Sequence, residues 1–309
     1  MLEVQDLTKK YGDVTAVDHI SFAVQPGIIT GFLGPNGAGK STTMRMLVGL
    51  DRPTSGQALV NGRSYVASHA PIAELGALLE AKAADKGRSA RNHLRAIGAT
   101  VGVSDARVDE LLDVVGLADV ARKPVGGFSL GMGQRLAIAT ALLGDPQIVM
   151  LDEPVNGLDP DGILWIRTLL KDLAAEGRTV FLSSHLMSEM ELTAEHLIVI
   201  GRGQILAGMP MADFIAAASH PLVRVVSPDA TTLRDLLAAP GVSITSTEAG
   251  VLEIDGLAAP RIGDVASEHH LTLHELTPLA PSLEEAFMEL TRDSVEYHGG
   301  VVTHDRKAA

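Results

Sequence analysis

The first fifty residues read as two short strands followed by a helix. Residues 20–24 alternate apolar and polar side chains, as a half-buried strand does, and Pro26 with Gly27 supplies turn chemistry after it. Residues 28–33 form a nearly continuous apolar run, which predicts a strand buried on both faces. Residues 41–50 have the pattern of a helix, which we expect Pro53 to close.

The middle of the chain has helical spacing, and two further apolar runs follow it. Apolar residues recur three and four positions apart over about 85–143. Residues 147–151 and 179–182 are short apolar runs of the kind that a parallel sheet buries. Strands that alternate with helices predict an α/β domain with a largely parallel sheet over 1–215, with 85–143 as a helical subdomain inside it.

The pattern changes after residue 210. Short strands are predicted at 222–226, 242–246, 251–254 and 271–276, and helices at 231–239 and 259–268. Ser282 and Glu285 match a capping box, after which apolar residues share one helix face: Leu283, Ala286, Phe287 and Leu290. We therefore expect a small α+β accessory domain over 216–297 and a disordered tail over 298–309.

Composition narrows the chemistry that the chain can perform. It has no cysteine, which excludes thiol catalysis, cysteine-ligated zinc and iron–sulfur clusters. Aromatic residues make up 3%, too few for a series of base-stacking platforms. The net charge is −13, and residues 216–309 hold 6 basic against 14 acidic side chains. Because neither part of the chain has a basic footprint, we expect no nucleic-acid partner.

The N-terminal residues and the apolar runs predict neither a secretion signal nor a membrane span. The first ten residues lack a basic start followed by an apolar region. A bilayer crossing needs about 20 consecutive apolar residues. The charge-free run at 19–39 reaches that length but is broken by Pro26, Pro35 and several glycines.

A glycine-rich loop between the strand at 28–33 and the following helix fits the pattern G-x-x-x-x-G-K-[ST] in full. Its residues are Gly34, Pro35, Asn36, Gly37, Ala38, Gly39, Lys40, Ser41 and Thr42. Glycines let the backbone N–H groups wrap around phosphates, and the helix adds its positive dipole end. Lys40 would reach the β- and γ-phosphates, and the Ser41 hydroxyl would ligate Mg²⁺. The alternative is an ordinary turn, but its place between strand and helix favours a nucleoside triphosphate site.

A second acidic motif ends the apolar strand at 147–151. Asp152 would lie beside the Mg²⁺ ion, and Glu153 would polarise a water molecule for in-line attack. An apolar strand followed by two acids is common, so the motif carries weight only together with the phosphate loop. Glu153 is the candidate general base.

Several further segments resemble the motifs of the ABC-transporter ATPases, in the order that this family shows. Tyr11 stands where the family stacks an aromatic ring on adenine, and residues 128–135 resemble its signature segment. Residues 156–159 resemble the D-loop, which ends at Asp159, and residues 183–185 resemble the H-loop, whose His185 would contact the γ-phosphate. The resemblance covers about 1–215. It implies a P-loop NTPase fold, with a RecA-like core, an antiparallel β subdomain and a helical subdomain.

The resemblance also implies that one chain holds only half of each site. The signature residues Ser129 and Gly131 would cover the γ-phosphate held by the partner's phosphate loop. A dimer is therefore expected, either of two identical chains or with a similar ATPase. Leu130 and Met132 depart from the family pattern, which has Gly and Gln at these positions.

A larger departure is Glu80, which occupies the position of the Q-loop glutamine. A carboxylate there can ligate Mg²⁺ or orient water, but it adds negative charge beside the phosphates. This feature, the signature variant and the closing segment 281–287 resemble the branch of antibiotic-exporter ATPases related to the daunorubicin type.

The function implied is ATP hydrolysis, with Mg²⁺, that powers export of a small molecule through separate integral-membrane permease subunits. The chain is then expected in the cytoplasm, peripheral on the inner face of the cell membrane. An importer ATPase would share every catalytic motif. An ABC ATPase acting on DNA or ribosomes fits the acidic composition less well, and a non-catalytic regulator would lack Glu153 or Lys40, which are both present.

Two clusters have ordinary as well as functional interpretations. His270 and His274 lie in a predicted strand, where four residues span about 13 Å, so they cannot share a metal ion with each other. The basic residues are Lys82, Lys86, Arg88, Arg91 and Arg95, with the last three on one predicted helix face. That face is either solvated or meets a membrane subunit or acidic headgroups. Tyr11 is likewise either an adenine platform or an ordinary turn residue.

Overall fold

The computed structural model describes residues 1–80, 84–217, 222–279 and 282–291. Contacts divide them into two compact units, Met1–Met211 together with Thr291, and Ala212–Leu290. Among the helices of the described residues, none is long and apolar enough to cross a membrane. The tail predicted at 298–309 lies outside the described residues, as do Lys82 and Pro281.

The first unit combines strands and helices along the whole of its length. Its strands are β1 (Leu2–Tyr11), β2 (Val14–Val24), β3 (Ile29–Leu33), β4 (Ser55–Val60), β5 (Leu75–Leu78), β6 (Ile148–Asp152), β7 (Thr179–Ser183), β8 (His196–Gly201) and β9 (Gln204–Pro210). Its helices are α1 (Lys40–Leu47), α2 (Pro71–Glu74), α3 (Ala90–Gly98), α4 (Asp105–Val114), α5 (Leu130–Ala141), α6 (Pro160–Ala175) and α7 (Met187–Thr193). Helix α8 (Met211–Ala217) follows at the boundary between the units.

A six-stranded sheet in the order β5-β6-β7-β3-β8-β9 forms the centre of this unit. The first five strands are parallel, and β9 pairs antiparallel to β8 at the edge. Every residue of β3 and of β7 is buried, as their continuous apolar sequences predict. The predicted parallel sheet is therefore confirmed. Because neighbouring parallel strands end at the same edge, the loops after β3, β6 and β7 lie side by side.

A three-stranded antiparallel sheet in the order β2-β1-β4 packs on the parallel one. The ring centroid of Phe22 in β2 lies 5.6 Å from that of Phe32 in β3 and 5.9 Å from that of Phe181 in β7, and the centroids of Phe32 and Phe181 are 5.3 Å apart. Such tilted aromatic pairs are favourable beyond the area that they bury. The three rings therefore join the antiparallel sheet to β3 and β7, two of the parallel strands whose following loops lie side by side.

The basic cluster predicted on one helix is paired with acids of the next helix. Arg91 of α3 donates from two nitrogens to the Asp109 carboxylate at 2.6 and 2.8 Å, and Arg95 donates to Asp105 at 2.8 Å. Arg88 precedes α3, so its predicted place on the same helix face was wrong. Since α4 supplies counter-charges to two of these arginines, the structure favours the ordinary interpretation of this cluster.

Helix α1 ends three residues earlier than its pattern predicts. It stops at Leu47, and Gly49 adopts φ = +74°, a left-handed conformation that glycine takes without a Cβ penalty. The predicted continuation to Leu50 was wrong because the apolar spacing does not reveal where a glycine terminates the hydrogen-bonded turns.

The second unit has an α+β fold, as predicted. Its elements are β10 (Leu222–Val226), α9 (Ala230–Leu237), β11 (Ser243–Glu248), β12 (Val251–Asp255), α10 (Ala259–Glu268), β13 (Glu275–Leu279) and α11 (Leu283–Thr291), whose last residue belongs to the first unit. The strands form an antiparallel sheet in the order β11-β12-β10-β13, and α9 contacts α10. The βαββαβ order is that of a split βαβ, or ferredoxin-like, motif.

The strand predicted at 271–276 begins later in the chain than the sequence indicated. Strand β13 begins at Glu275, whereas Leu271 and Leu273 pack against the hydrophobic core outside any strand. His270 follows α10 at φ = +54°, and His274 donates its backbone N–H to the Val226 carbonyl at 2.7 Å just before β13. The placement of both histidines in one strand was therefore wrong.

The capping box at the start of α11 is confirmed. Glu285 donates its N–H to the Ser282 hydroxyl at 3.2 Å, and the Glu285 carboxylate accepts from the Ser282 N–H at 2.7 Å. Leu283, Ala286 and Phe287 are buried, as the apolar face predicts, whereas Leu290 is 39% exposed.

Candidate active site

The loop between β3 and α1 needs glycine at several positions. Gly37 and Gly39 have φ of +82° and +107°, which other residues rarely adopt. A Cβ atom at Gly34 would lie 2.4 Å from the Ile200 carbonyl oxygen, and one at Gly39 would lie 2.6 Å from the Ala16 carbonyl oxygen. The loop therefore packs closely against β8 and β2 of the same unit. Of its other residues, Asn36 is exposed, Pro35 and Thr42 are half-buried, and Ala38 is buried.

Lys40 is buried at the first position of α1, with its side chain folded back over the loop. Its Nζ donates to the carbonyl oxygens of Gly34 at 2.5 Å and of Pro35 at 3.3 Å. Burial lowers the pKa of Lys40 below its ordinary value, and the carboxylates of Glu153 and Asp152 act in the opposite direction. The loop carbonyls and the two carboxylates thus hold the Lys40 ammonium at the N-terminus of α1. A helix N-terminus favours the binding of anions.

Ser41 and Asp152 each place a side-chain oxygen atom at the same edge of the sheet. The Ser41 hydroxyl donates to Asp152 Oδ2 at 2.7 Å, and the Ser183 hydroxyl donates to the other carboxylate oxygen. Asp152 and Ser183 are register partners at the ends of β6 and β7. Hydroxyl and carboxylate oxygens are the donors that Mg²⁺ prefers, so the pair fits that ion.

Glu153 follows β6 in an unusual backbone conformation. Its φ is +53°, a strained value for a residue that is not glycine. The backbone N–H is held by the Ser183 hydroxyl at 3.1 Å, and one carboxylate oxygen lies 2.7 Å from His185 Nδ1. The same oxygen accepts from the His185 backbone N–H at 3.3 Å. The carboxylate is thus fixed by its neighbours at the edge where the loops meet.

Helix α5 is tied to this acidic segment through Gln134. The Gln134 side chain is buried, and its Nε2 donates to the carbonyl oxygens of Glu153 at 3.2 Å and Pro154 at 2.9 Å. At the start of the helix, the Ser129 hydroxyl accepts from the Met132 N–H and caps α5. Gln134 therefore connects the segment at 128–135 to the acidic motif of the same chain. The sequence pattern did not predict this role for Gln134.

The D-loop segment packs against the start of α5. A Cβ atom at Gly131 would lie 2.9 Å from the Gly157 carbonyl oxygen, and one at Gly157 would lie 2.3 Å from Leu130 Cγ. Leu130 thus covers the backbone of Gly157, which gives a packing role to a residue that departs from the family pattern. Asp159 caps α6 by accepting from the Gly162 N–H at 3.0 Å.

Tyr11 lies at the end of β1 and is 48% exposed. Its hydroxyl donates to Asp51 Oδ2 at 3.0 Å, and Lys9 Nζ lies 4.8 Å from the ring centroid. The same Asp51 oxygen accepts from Arg45 Nε of α1 at 2.8 Å. An aromatic ring anchored by its hydroxyl and partly open to solvent is a suitable surface for a flat heterocycle.

Glu80 lies two residues after β5 and is exposed to a cleft of about 720 Å³. Ser41 and Asp152 also line this cleft. The structure thus places Glu80 on the same cleft as the pair that fits Mg²⁺.

Eight of the site residues predicted from the sequence form two groups in the structure. Hydrogen bonds and electrostatic interactions connect one group at the sheet edge: Lys40, Ser41, Asp152, Glu153 and His185. The second group, Ser129, Gly131 and Asp159, lies around the start of α5 and of α6. Ser183 and Gln134 connect elements within the site, and their roles were missed. The one available signal was the position of Ser183 at the end of an apolar strand.

Comparisons with known proteins place these features in a wider context. A family model described as ABC transporter matches residues 17–156, and one described as a domain of unknown function (DUF8746) matches 221–284. The chain is 44% identical over 213 residues to the bacitracin transport ATP-binding protein BcrA of Bacillus licheniformis, which covers 68% of this chain and 70% of that protein.

Two further matches extend the comparison to the whole chain and to a solved structure. The uncharacterized ABC transporter ATP-binding protein YhcH of Bacillus subtilis is 37% identical over 304 residues, 96% of this chain and 97% of that protein. A structure titled as the ATP binding subunit of an ABC transporter superposes with a TM-score of 0.65 at 27% identity, over 70% of this chain and 92% of that one. The match to YhcH therefore includes the second unit.

Replacing Gln134 tests the link between α5 and the acidic motif. Gln134→Met keeps the side-chain length but leaves two carbonyl oxygens without their donor, which we expect to cost about 2–3 kcal/mol of unfolding free energy. For a domain of this size, each kcal/mol lowers the Tm by about 2–4 °C. Calorimetry measures the change. The control Gln204→Met, at an exposed glutamine bonded to Asp18, should stay within about 0.5 kcal/mol of the parent. Equal effects of the two substitutions would contradict the proposed link.

Proposed function

The chain belongs to the ATP-binding proteins of ABC transporters, and we propose on that basis that it hydrolyses ATP to drive export of a small, antibiotic-like molecule through separate membrane subunits. The observation that carries the catalytic part is the bonded cluster at the sheet edge. There, Lys40, Ser41, Asp152, Glu153 and His185 lie together around the start of α1. The transport part is supported by the named role of the relative BcrA in bacitracin transport.

The loop and Lys40 bind the triphosphate in this proposal. The backbone N–H groups at the start of α1 point toward the C-terminal edge of the sheet, and the helix dipole favours negative charge there. The Lys40 ammonium, now bonded to the carbonyls of Gly34 and Pro35, exchanges these partners for phosphate oxygens. Tyr11 stacks on the adenine ring, with its hydroxyl anchored by Asp51.

Ser41 and Asp152 hold a Mg²⁺ ion in this proposal, with Glu80 facing the same cleft. When bound, the ion neutralises negative charge on the phosphate oxygens. The Ser41 and Asp152 side chains would hold the ion beside the phosphate loop, and Ser183 would keep the Asp152 carboxylate oriented toward it.

Glu153 acts as the general base. A water molecule attacks the γ-phosphorus in line with the bond to the β-phosphate oxygen, and Glu153 accepts a proton from it. The electron pair of the broken P–O bond leaves with ADP. His185 holds the Glu153 carboxylate through its backbone N–H, and its imidazole ring contacts the γ-phosphate when ATP is bound. The strained φ of Glu153 aims the side chain at the reacting centre.

Each chain supplies only part of two sites. At the start of α5, Gly131 packs against Gly157 of its own chain, and Ser129 and Gly131 cover the γ-phosphate bound to a partner ATPase. The partner is a second copy of this chain or a similar ATPase. Binding of ATP joins the two, and hydrolysis releases them. Integral-membrane permease subunits hold the pair on the inner face of the cell membrane.

A Glu153→Gln variant tests the base. The amide cannot accept the proton, so we expect ATP turnover to fall by a factor of about 100 or more while ATP binding remains. ATP should then hold the variant as a dimer in light scattering. The control Glu176→Gln removes an exposed carboxylate that pairs with Arg178, and its turnover should match the parent. Turnover of Glu153→Gln at the parent rate would refute the assignment.

Co-purification tests the transport part. We expect the tagged full-length chain, drawn from its native membranes in mild detergent, to bring down a multispanning membrane protein because the proposed cargo path lies in that partner. Mass spectrometry identifies the partners, and an untagged strain is the control. Recovery of the chain with only itself or with nucleic-acid machinery would leave the ATPase chemistry standing and would contradict transport.

A further inference from the structure

The cleft beside the phosphate loop collects two carboxylates and one cation. Its walls include Ser41 and Arg45 of α1, Glu80 after β5, and Asp152 at the end of β6. Among the described residues that line it, Arg45 is the only one with a basic side chain, and Glu80 and Asp152 are the only acids. The proposed function brings the negative charges of ATP to the same place.

Arg45 is placed to act on this cleft by its position in α1. It lies four residues after Ser41, so the two side chains share one face of the helix. Arg45 Nε donates to Asp51 Oδ2 at 2.8 Å, and the Tyr11 hydroxyl donates to the same oxygen at 3.0 Å. The hydrogen bond to Asp51 thus restrains the guanidinium group of Arg45. Within the described residues, the two terminal nitrogens of Arg45 make no hydrogen bond, which leaves them available to the cleft.

The charge on Arg45 is secure in this environment. Its hydrogen bond to the Asp51 carboxylate, followed by the charges of Asp51, Tyr11 and Glu80, raises the pKa of Arg45 above its already high ordinary value. About half of the side chain is exposed, so it can adjust toward the cleft.

Glu80 has a specific need for such a partner. A neutral glutamine at this position would meet the phosphates without a charge penalty. A carboxylate there adds a third acid to Asp152 and Glu153 at a site that must accept a polyanion. Like charges in close proximity destabilise one another unless a cation is interposed.

We propose that Arg45 is a positioning residue that holds and neutralises the Glu80 carboxylate when ATP enters the cleft. This inference rests on the proposed binding of ATP at the phosphate loop. Arg45 would hold Glu80 within the cleft that Ser41 and Asp152 also line, and Asp51 keeps Arg45 in place. The Tyr11 hydroxyl bonds to that same Asp51 oxygen, so the residue proposed to stack on adenine and the residue proposed to hold Glu80 share one anchor.

A double-mutant cycle on the full-length chain tests the pair. The four proteins are the parent, Arg45→Gln, Glu80→Gln and the double variant, and the readout is the Kd of a fluorescent ATP analogue with Mg²⁺ present. Arg45→Gln should weaken binding by about tenfold when Glu80 is present and by less than about twofold when it is combined with Glu80→Gln. Arg45→Lys should recover most of the binding because it restores the charge. The control Arg52→Gln changes an exposed arginine seven positions along and should leave binding unchanged.

Four results distinguish a failure of the Arg45–Glu80 pairing from a failure of the proposed binding or hydrolysis of ATP. An equal loss from Arg45→Gln with and without the Glu80→Gln change would overturn the pairing, since Arg45 would then act on the nucleotide or on the fold. A lower Tm in Arg45→Gln that Arg45→Lys does not restore would assign Arg45 a structural role instead. Failure of the parent chain to bind the analogue would refute the proposed ATP site and the pairing with it. Binding without hydrolysis would refute only the hydrolysis.

Discussion

The hydrogen bond between Ser41 and Asp152 joins the parts of the site that lie far apart in the sequence. Ser41 is the second residue of the helix after β3, and Asp152 ends β6, two strands away in the sheet. The strand between them, β7, contributes Ser183, which bonds the other carboxylate oxygen. Three neighbouring parallel strands thus deliver a hydroxyl, a carboxylate and a second hydroxyl to one edge. Glu153 and His185 follow from this arrangement, because each comes one or two residues after the end of β6 or β7.

Balance of charge is the second constraint on the site. The chain carries a net charge of −13, and its candidate site concentrates Asp152, Glu153 and Glu80 where a polyanion is to bind. Lys40 and Arg45 supply the opposing charges from α1, whose N-terminus adds a partial positive charge. Burial disfavours the Lys40 charge, whereas the neighbouring acids favour it.

The sequence predicted the parts of the fold that depend on local pattern. The apolar runs at 147–151 and 179–182 became β6 and β7, and the phosphate loop lies where its glycines predict. Contacts between distant segments left no such signal: Gln134 bonds to Glu153 and Pro154, and Asp51 bonds to Arg45 and Tyr11. The displaced strand at 271–276 has a physical reason, because Leu271 and Leu273 alternate to pack on the core without pairing in a sheet.

The central claim is that two chains complete one another's sites, with Lys40 from one and Ser129 from the other. Mixing two disabled variants tests it most directly. Lys40→Ala and Ser129→Phe should each hydrolyse ATP poorly alone. In an equal mixture, half of the dimers are mixed and each has one intact site, so about a quarter of the parent turnover should return. A mixture that stays at the average of the two variants would contradict the claim.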